Sequence, residues 1–202
     1  MKKVILTAAI LLLSFEFAFG QSLKISDLKD EINSGNVSLT AMGNGASTGF
    51  AVDGFLRNNT HREMYINVFI NNGIYLVNSG AGQNMLATQV FMSDGGYYEL
   101  GNEIFIILQP LTRIPISLRA LCADQHLDNP NNRESFTLAS TPADISNIAT
   151  KISRYMALNI DRDIDIAAQL ALWREQGVSR ERISMSFRFT ENDWALASRI
   201  MN

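Results

Sequence analysis

The hydrophobic pattern of this chain changes period about two thirds of the way along, and that switch limits its fold more than any other feature. From Gly35 to about Ala123, short runs rich in aromatic and β-branched residues are divided by Gly, Asn and Pro. Val37 to Thr40 alternates with period two, and Met64 to Ile70 forms a second run. Asn71-Asn72-Gly73 is expected to turn the chain back into Ile74 to Val77. Ile104 to Leu108 and Ile114 to Leu121 follow, with Pro110 in the turn between them. Beyond Thr141 the apolar residues Ile145, Ile148, Ala149, Ile152, Tyr155 and Met156 recur at helical spacing. Strands first and helices last predict an α+β fold: an N-terminal antiparallel β-sandwich over 21–140, then a helical region over 141–202 packed on it as one cooperative unit.

The helices have readable ends. Ser26 is placed to cap a short helix running to Asn33, and Thr141 to cap the helix that opens at Pro142. Asp161 to Gln176 predicts another helix, with Asp161, Asp163 and Asp165 near its start, Arg174 near its end and Gly177 as its stop. Ser179 and Thr190 are expected to cap two more.

The first twenty residues are set apart from the fold. Lys2 and Lys3 precede an apolar run from Val4 to Leu13, and Ala18-Phe19-Gly20 supplies small residues before a cleavage point at Gln21. This is the layout of a signal peptide over 1–20, too short to span a bilayer, so a secreted, periplasmic or cell-envelope location is expected. The chain holds 17 Lys+Arg and 20 Asp+Glu; without Lys2, Lys3 and Glu16 these become 15 and 19, a net charge of about −4. Such a balance excludes nucleic acid as a natural partner, since phosphate contacts need a basic surface. The expected partner is a protein or cell-surface ligand, and no transmembrane segment is expected in the mature form. Asn58-Asn59-Thr60 matches a glycosylation acceptor but reads better as a polar loop between strands.

The candidate chemistry centres on Cys122, the single cysteine. In an exported chain it has no internal disulfide partner, which leaves burial, an intermolecular bond or reactivity. His61 and His126 are the only histidines and stand far apart, so no metal site and no cofactor are expected. Cys122 ends the run Ile114 to Leu121 and is followed by Ala123-Asp124 and a polar loop. Gln169 is the one polar side chain in Ile166 to Trp173, on a helical face with Ile166, Leu170 and Trp173.

Leu121-Cys122 and the stretch Gln169, Ala171, Leu172, Trp173 resemble the bacterial surface thioester domains, also called TQXA domains. Ala168 stands where that family has Thr. The resemblance implies an exported interaction or adhesion module in which Cys122 and Gln169 form an internal thioester that couples once to an amine on a partner, without enzymatic turnover. For that chemistry Trp173 and the neighbouring leucines are expected to form a dry wall; Trp173, Asp124 and His126 are the candidate binding residues. Two alternatives stay open: a structural envelope protein without covalent chemistry, and a cysteine hydrolase in which His126 or His61 acts as base.

Overall fold

A computed structural model of the protein describes residues 24–159 and 163–202. The expected signal peptide lies outside the described residues. No helix among the described residues is long and apolar enough to cross a membrane.

The fold is mixed α and β, with strands first and helices last. The strands are β1 (Ile25–Ser26), β2 (Val37–Gly43), β3 (Thr48–Asn58), β4 (Met64–Asn67), β5 (Phe69–Asn78), β6 (Met85–Met92), β7 (Tyr98–Leu100), β8 (Glu103–Leu108), β9 (Arg113–Cys122) and β10 (Ser135–Ala139). The helices are α1 (Leu28–Asn33), α2 (Ala143–Ala157), α3 (Asp165–Glu175), α4 (Arg180–Ser186) and α5 (Glu191–Met201).

The strands do not form the sandwich of two facing sheets that their pattern suggests. Six of them close into a barrel in the order β10-β2-β3-β9-β6-β5, and a separate four-stranded sheet runs β1-β4-β8-β7. Alternation reports that a strand buries one face; it does not report whether its sheet closes on itself. All barrel pairings are antiparallel, while β1 lies parallel to β4.

The run Met64 to Ile70 is not one strand. It changes sheets at Val68, whose amide bonds Ile104 of the small sheet's β8 and whose carbonyl accepts from Val90 of the barrel's β6. Asn67 fixes this corner, its Oδ1 accepting the Phe69 amide at 2.9 Å. The expected turn at 71–73 is instead an irregularity inside β5, where the register with β6 jumps between Phe69 and Ile74. Asn72 and Gly73 take positive φ there, 59° and 62°. Asn and Gly tolerate that conformation in a bulge as well as in a hairpin, so the residue types alone do not separate the two.

Asn58 ends β3 at full burial. Its Nδ2 donates to the carbonyls of Arg62, Leu108 and Gln109, and its Oδ1 accepts from the Thr60 amide and hydroxyl. The side chain ties the loop after β3 to the end of β8, and no face of it is open to a glycan.

The helix caps match the sequence in part. Ser179 accepts from Arg182, and Thr190 forms a reciprocal capping box with Asp193. Gly177 closes the turn after α3 at φ 77°. Asp27, not Ser26, caps α1. Thr141 caps nothing: α2 has Pro142 in the cap position with no side-chain bond. The α3 helix begins at Asp165, later than the acidic run suggested; residues 160–162 of that run lie outside the described residues.

The helices cover one end and one side of the barrel. Helix α2 lies on β5 and β6, which explains why every residue of β6 from Met85 to Phe91 is buried: one face fills the barrel and the other meets the helix. Helix α3 sits over the ends of β3 and β9 and is covered in turn by α2 and α5. Every residue from Ala167 to Trp173 is buried, so α3 is enclosed all round. Arg174 holds α5 to it, with its guanidinium 4.3 Å from the Trp194 ring and Nη1 donating to the Ser198 hydroxyl at 2.9 Å. Val37, Leu118, Leu170 and Ile200 belong to a single apolar core shared by barrel and helices.

A chain ending at Ser140 would leave the α-facing sides of β5, β6 and β9 in water. It is expected to lose the cooperative urea transition of the full mature chain, followed by circular dichroism. A truncated protein unfolding at the parent midpoint would show that the barrel stands alone.

Candidate functional site

Strand β9 runs between β3 and β6, and at its end the ladder on one side stops. Leu121 still pairs with Thr48, the first residue of β3, and Cys122 pairs with Met85 of β6 on the other flank. The amide and carbonyl of Cys122 therefore have no strand to bond on the β3 side. Gln169 of α3 takes its place. Its Oε1 accepts from the Cys122 amide at 2.7 Å, and its Nε2 donates to the Cys122 carbonyl at 2.8 Å. A primary carboxamide carries a donor and an acceptor in one plane, so a single side chain reproduces the two bonds of a strand neighbour. Both residues are fully buried.

Three further contacts hold α3 in this position. Arg119 of β9 forms an ion pair with Asp165 at 2.7 Å, largely shielded from water. The Thr48 hydroxyl donates to the Asp165 carbonyl at 3.5 Å. Gln176, just past α3, donates to the Ala123 carbonyl at 2.8 Å. Gly49 makes the close approach of Asp165 achievable: it sits at φ 75°, and a Cβ there would lie 2.9 Å from Asp165 Oδ2.

The thiol of Cys122 has soft, neutral neighbours. Its Sγ lies 3.8 Å from Met85 Sδ and 3.9 Å from Asn129 Oδ1. Burial first, and Asp124 second, push the thiol up from its ordinary 9.0 to about 12. The free thiol is thus protonated and weakly nucleophilic in the folded protein.

The other candidate residues separate. Trp173, one helical turn after Gln169, lies with Asn129 and Gln83 in the wall of a cavity of about 250 Å³. Asp124 braces a loop, its Oδ2 accepting the Asn84 amide at 2.9 Å. His126 is exposed and lines a different cleft, with Asp124, Asp144 and Arg182. His61 follows the far end of β3, where Arg57 faces Arg113, at the opposite end of the barrel from Cys122. Neither histidine is among the hydrogen-bond partners of the thiol, and no cluster of metal-ligating side chains occurs among the described residues. The structure adds Asn129 and Gln83, which no local pattern marks, because their relation to Cys122 exists only after β6 and the loop following β9 come together.

No family model matches the chain, and no curated protein or solved structure does.

Replacing Gln169 by Leu keeps the apolar volume but leaves a buried amide and carbonyl unpaired, and is expected to lower stability by about 2–4 kcal/mol in urea unfolding. For the unlinked thiol the sign of the pH effect is fixed by its raised value. Between about pH 9 and pH 12 the folded state holds a proton that the unfolded state has lost. The contribution is complete below pH 9 and is lost as pH rises toward 12. Denaturation midpoints at about pH 8 and about pH 10 should therefore fall further apart in the parent than in Cys122→Ala.

Proposed function

We propose that the protein is an exported interaction module in which Cys122 and Gln169 are poised to form an internal thioester that couples to an amine on a partner. The observation that carries this reading is the seating of the Gln169 carboxamide on the Cys122 main chain through both of its polar atoms, with both residues fully buried.

The chemistry follows from that seating. Sγ of Cys122 attacks Cδ of Gln169; the thiol proton passes to the departing nitrogen, and the C–N bond breaks with release of ammonia. The Cys122 amide, already donating to Oε1, stabilises the negative charge that develops on that oxygen. Proximity supplies what the unreactive thiol lacks, since a fixed pair of groups reacts as if at very high concentration. The full burial of both residues limits the access of water to the product.

Loss of ammonia has a cost. It removes the donor that Nε2 gave to the Cys122 carbonyl and leaves a buried acceptor unpaired, a penalty of about 1–3 kcal/mol. Attack by a primary amine forms a new amide, frees the thiol and returns an N–H to that position. An alcohol would form an ester with no such donor. The same hydrogen bond that holds the resting pair therefore favours amines as acceptors. A structural envelope protein is the second reading, favoured by the full hydrogen-bonding of Gln169 without any covalent step.

Intact mass of the mature protein separates the two. The expected result is a loss of one ammonia that disappears in Cys122→Ala and in Gln169→Ala, with methylamine adding to the parent and exposing one thiol. An N-terminal Gln21 loses the same ammonia by cyclising, so only a loss that depends on Cys122 and yields to methylamine counts. Parent protein with full mass at residues 122 and 169 and a thiol that alkylates in the native state would remove the covalent mechanism.

A further inference from the structure

The cavity beside the Cys122–Gln169 pair has a chemistry of its own. It is formed by the loop before β3, the β5–β6 loop, the loop after β9, α3 and the end of α4, and is a partly open hollow of about 250 Å³. Gln83, Gln125, Asn129, Asp128, Trp173 and Phe187 lie in its wall. Three planar amides and one carboxylate stand there with no Lys or Arg. The rings of Trp173 and Phe187 meet edge to face, with centroids 5.1 Å apart at 81°. Gln125 donates to the Ser186 hydroxyl at 3.0 Å and closes one side of the rim.

Two wall residues hold unanswered polar atoms. The Trp173 indole N–H and the Gln83 Oε1 are buried, and neither has a hydrogen-bond partner among the described residues. Trp173 is 4% exposed and Gln83 5%. Trp173 and Gln83 thus bring an orphaned donor and an orphaned acceptor to residues of one wall, and a ligand that supplies both functions would answer them. A hydroxyl group does so by itself: it accepts from the indole and donates to the amide. An ammonium ion answers only the acceptor, and a carboxylate answers only the donor and meets Asp128.

We infer that this cavity is a binding site for the ring of a neutral pyranoside, with hydroxyls bonded to Gln83 and Trp173 and the apolar C–H face of the ring against Trp173 and Phe187. Side-chain amides and carboxylates are the natural partners of vicinal hydroxyls, because each offers paired donors or acceptors at matching spacing. The volume holds one ring. A peptide bound through its main chain would seek an open strand edge, which this wall of side chains does not offer. The inference rests on the reading of the chain as an interaction module and names the partner's chemistry; it does not depend on the thioester.

The test is saturation-transfer NMR with methyl β-D-glucopyranoside, methyl β-D-galactopyranoside and methyl α-D-mannopyranoside, each at millimolar concentration, on the mature protein and on Cys122→Ala. Transfer to the ring protons of at least one glycoside is expected in both proteins. Binding should be about tenfold weaker in Gln83→Leu and in Trp173→Phe, each of which removes one hydrogen-bonding atom. Gln125→Ala, at the rim, provides a variant that spares the buried wall and should also weaken binding. Absence of transfer from all three glycosides overturns the inference, as does binding that none of the three wall variants alters. Binding of the peptide amide acetyl-Gly-Lys-Gly-NH₂ at the same wall, with no glycoside bound, overturns it in favour of a peptide. Because Cys122→Ala cannot form a thioester, glycoside binding by that variant, alongside a failed mass test, would remove the covalent mechanism and leave this site standing.

Discussion

One side chain stands in for the strand that the barrel lacks at its end. The hydrogen-bond ladder on β9 reaches Leu121 and then has no partner strand on the β3 flank. A buried amide and carbonyl without partners are costly, so the open end of the ladder must be closed from elsewhere. Gln169 closes it, and to do so α3 must lie at one height and one rotation over the barrel mouth. The Arg119–Asp165 pair, the close approach of Asp165 to Gly49 and the Gln176–Ala123 bond all serve that placement. Helices α2 and α5 then pack on a helix whose position is already set.

This arrangement ties the Cys122–Gln169 pair to the stability of the whole. Hydrogen bonds to the backbone of Cys122 fix where the Gln169 carbonyl carbon sits relative to the thiol. The surrounding core fixes how little water reaches either. The cavity walled by Trp173 and Asn129 lies close to the thiol, which is 3.9 Å from Asn129 Oδ1, and two residues of its wall, Trp173 and Gln83, carry unpaired polar atoms.

Part of this was legible in the sequence. The change of period near residue 141, the caps at Ser179 and Thr190 and the stop at Gly177 depend on local chemistry and are visible one element at a time. A glutamine alone in an apolar helix and a lone cysteine at a strand end each stood out, and the resemblance to the thioester domains is what suggested pairing them. The closed barrel was not visible, because closure is decided by which strands are neighbours. Strand β6 was hidden by burial on both faces, which erases alternation; β3 was masked by its bulge between Phe50 and Val52 and by Gly54. Asn72-Gly73 carried a true signal for positive φ but not for what the chain does after it. Gln83 had no signal at all, since its meaning comes from Trp173, ninety positions along the chain.

The grip of Gln169 falls on the main chain of residue 122, and every amino acid except proline offers the same main chain. The two members of the pair are therefore under unequal constraint. Position 169 needs a donor and an acceptor at a fixed reach, which few side chains besides glutamine supply. Position 122 needs only a small buried group to keep the architecture, and needs sulfur only for chemistry. Under the proposed thioester reading, the residue at 122 in diverged copies of this chain reports whether the reaction is kept, whereas the residue at 169 reports only that the fold is.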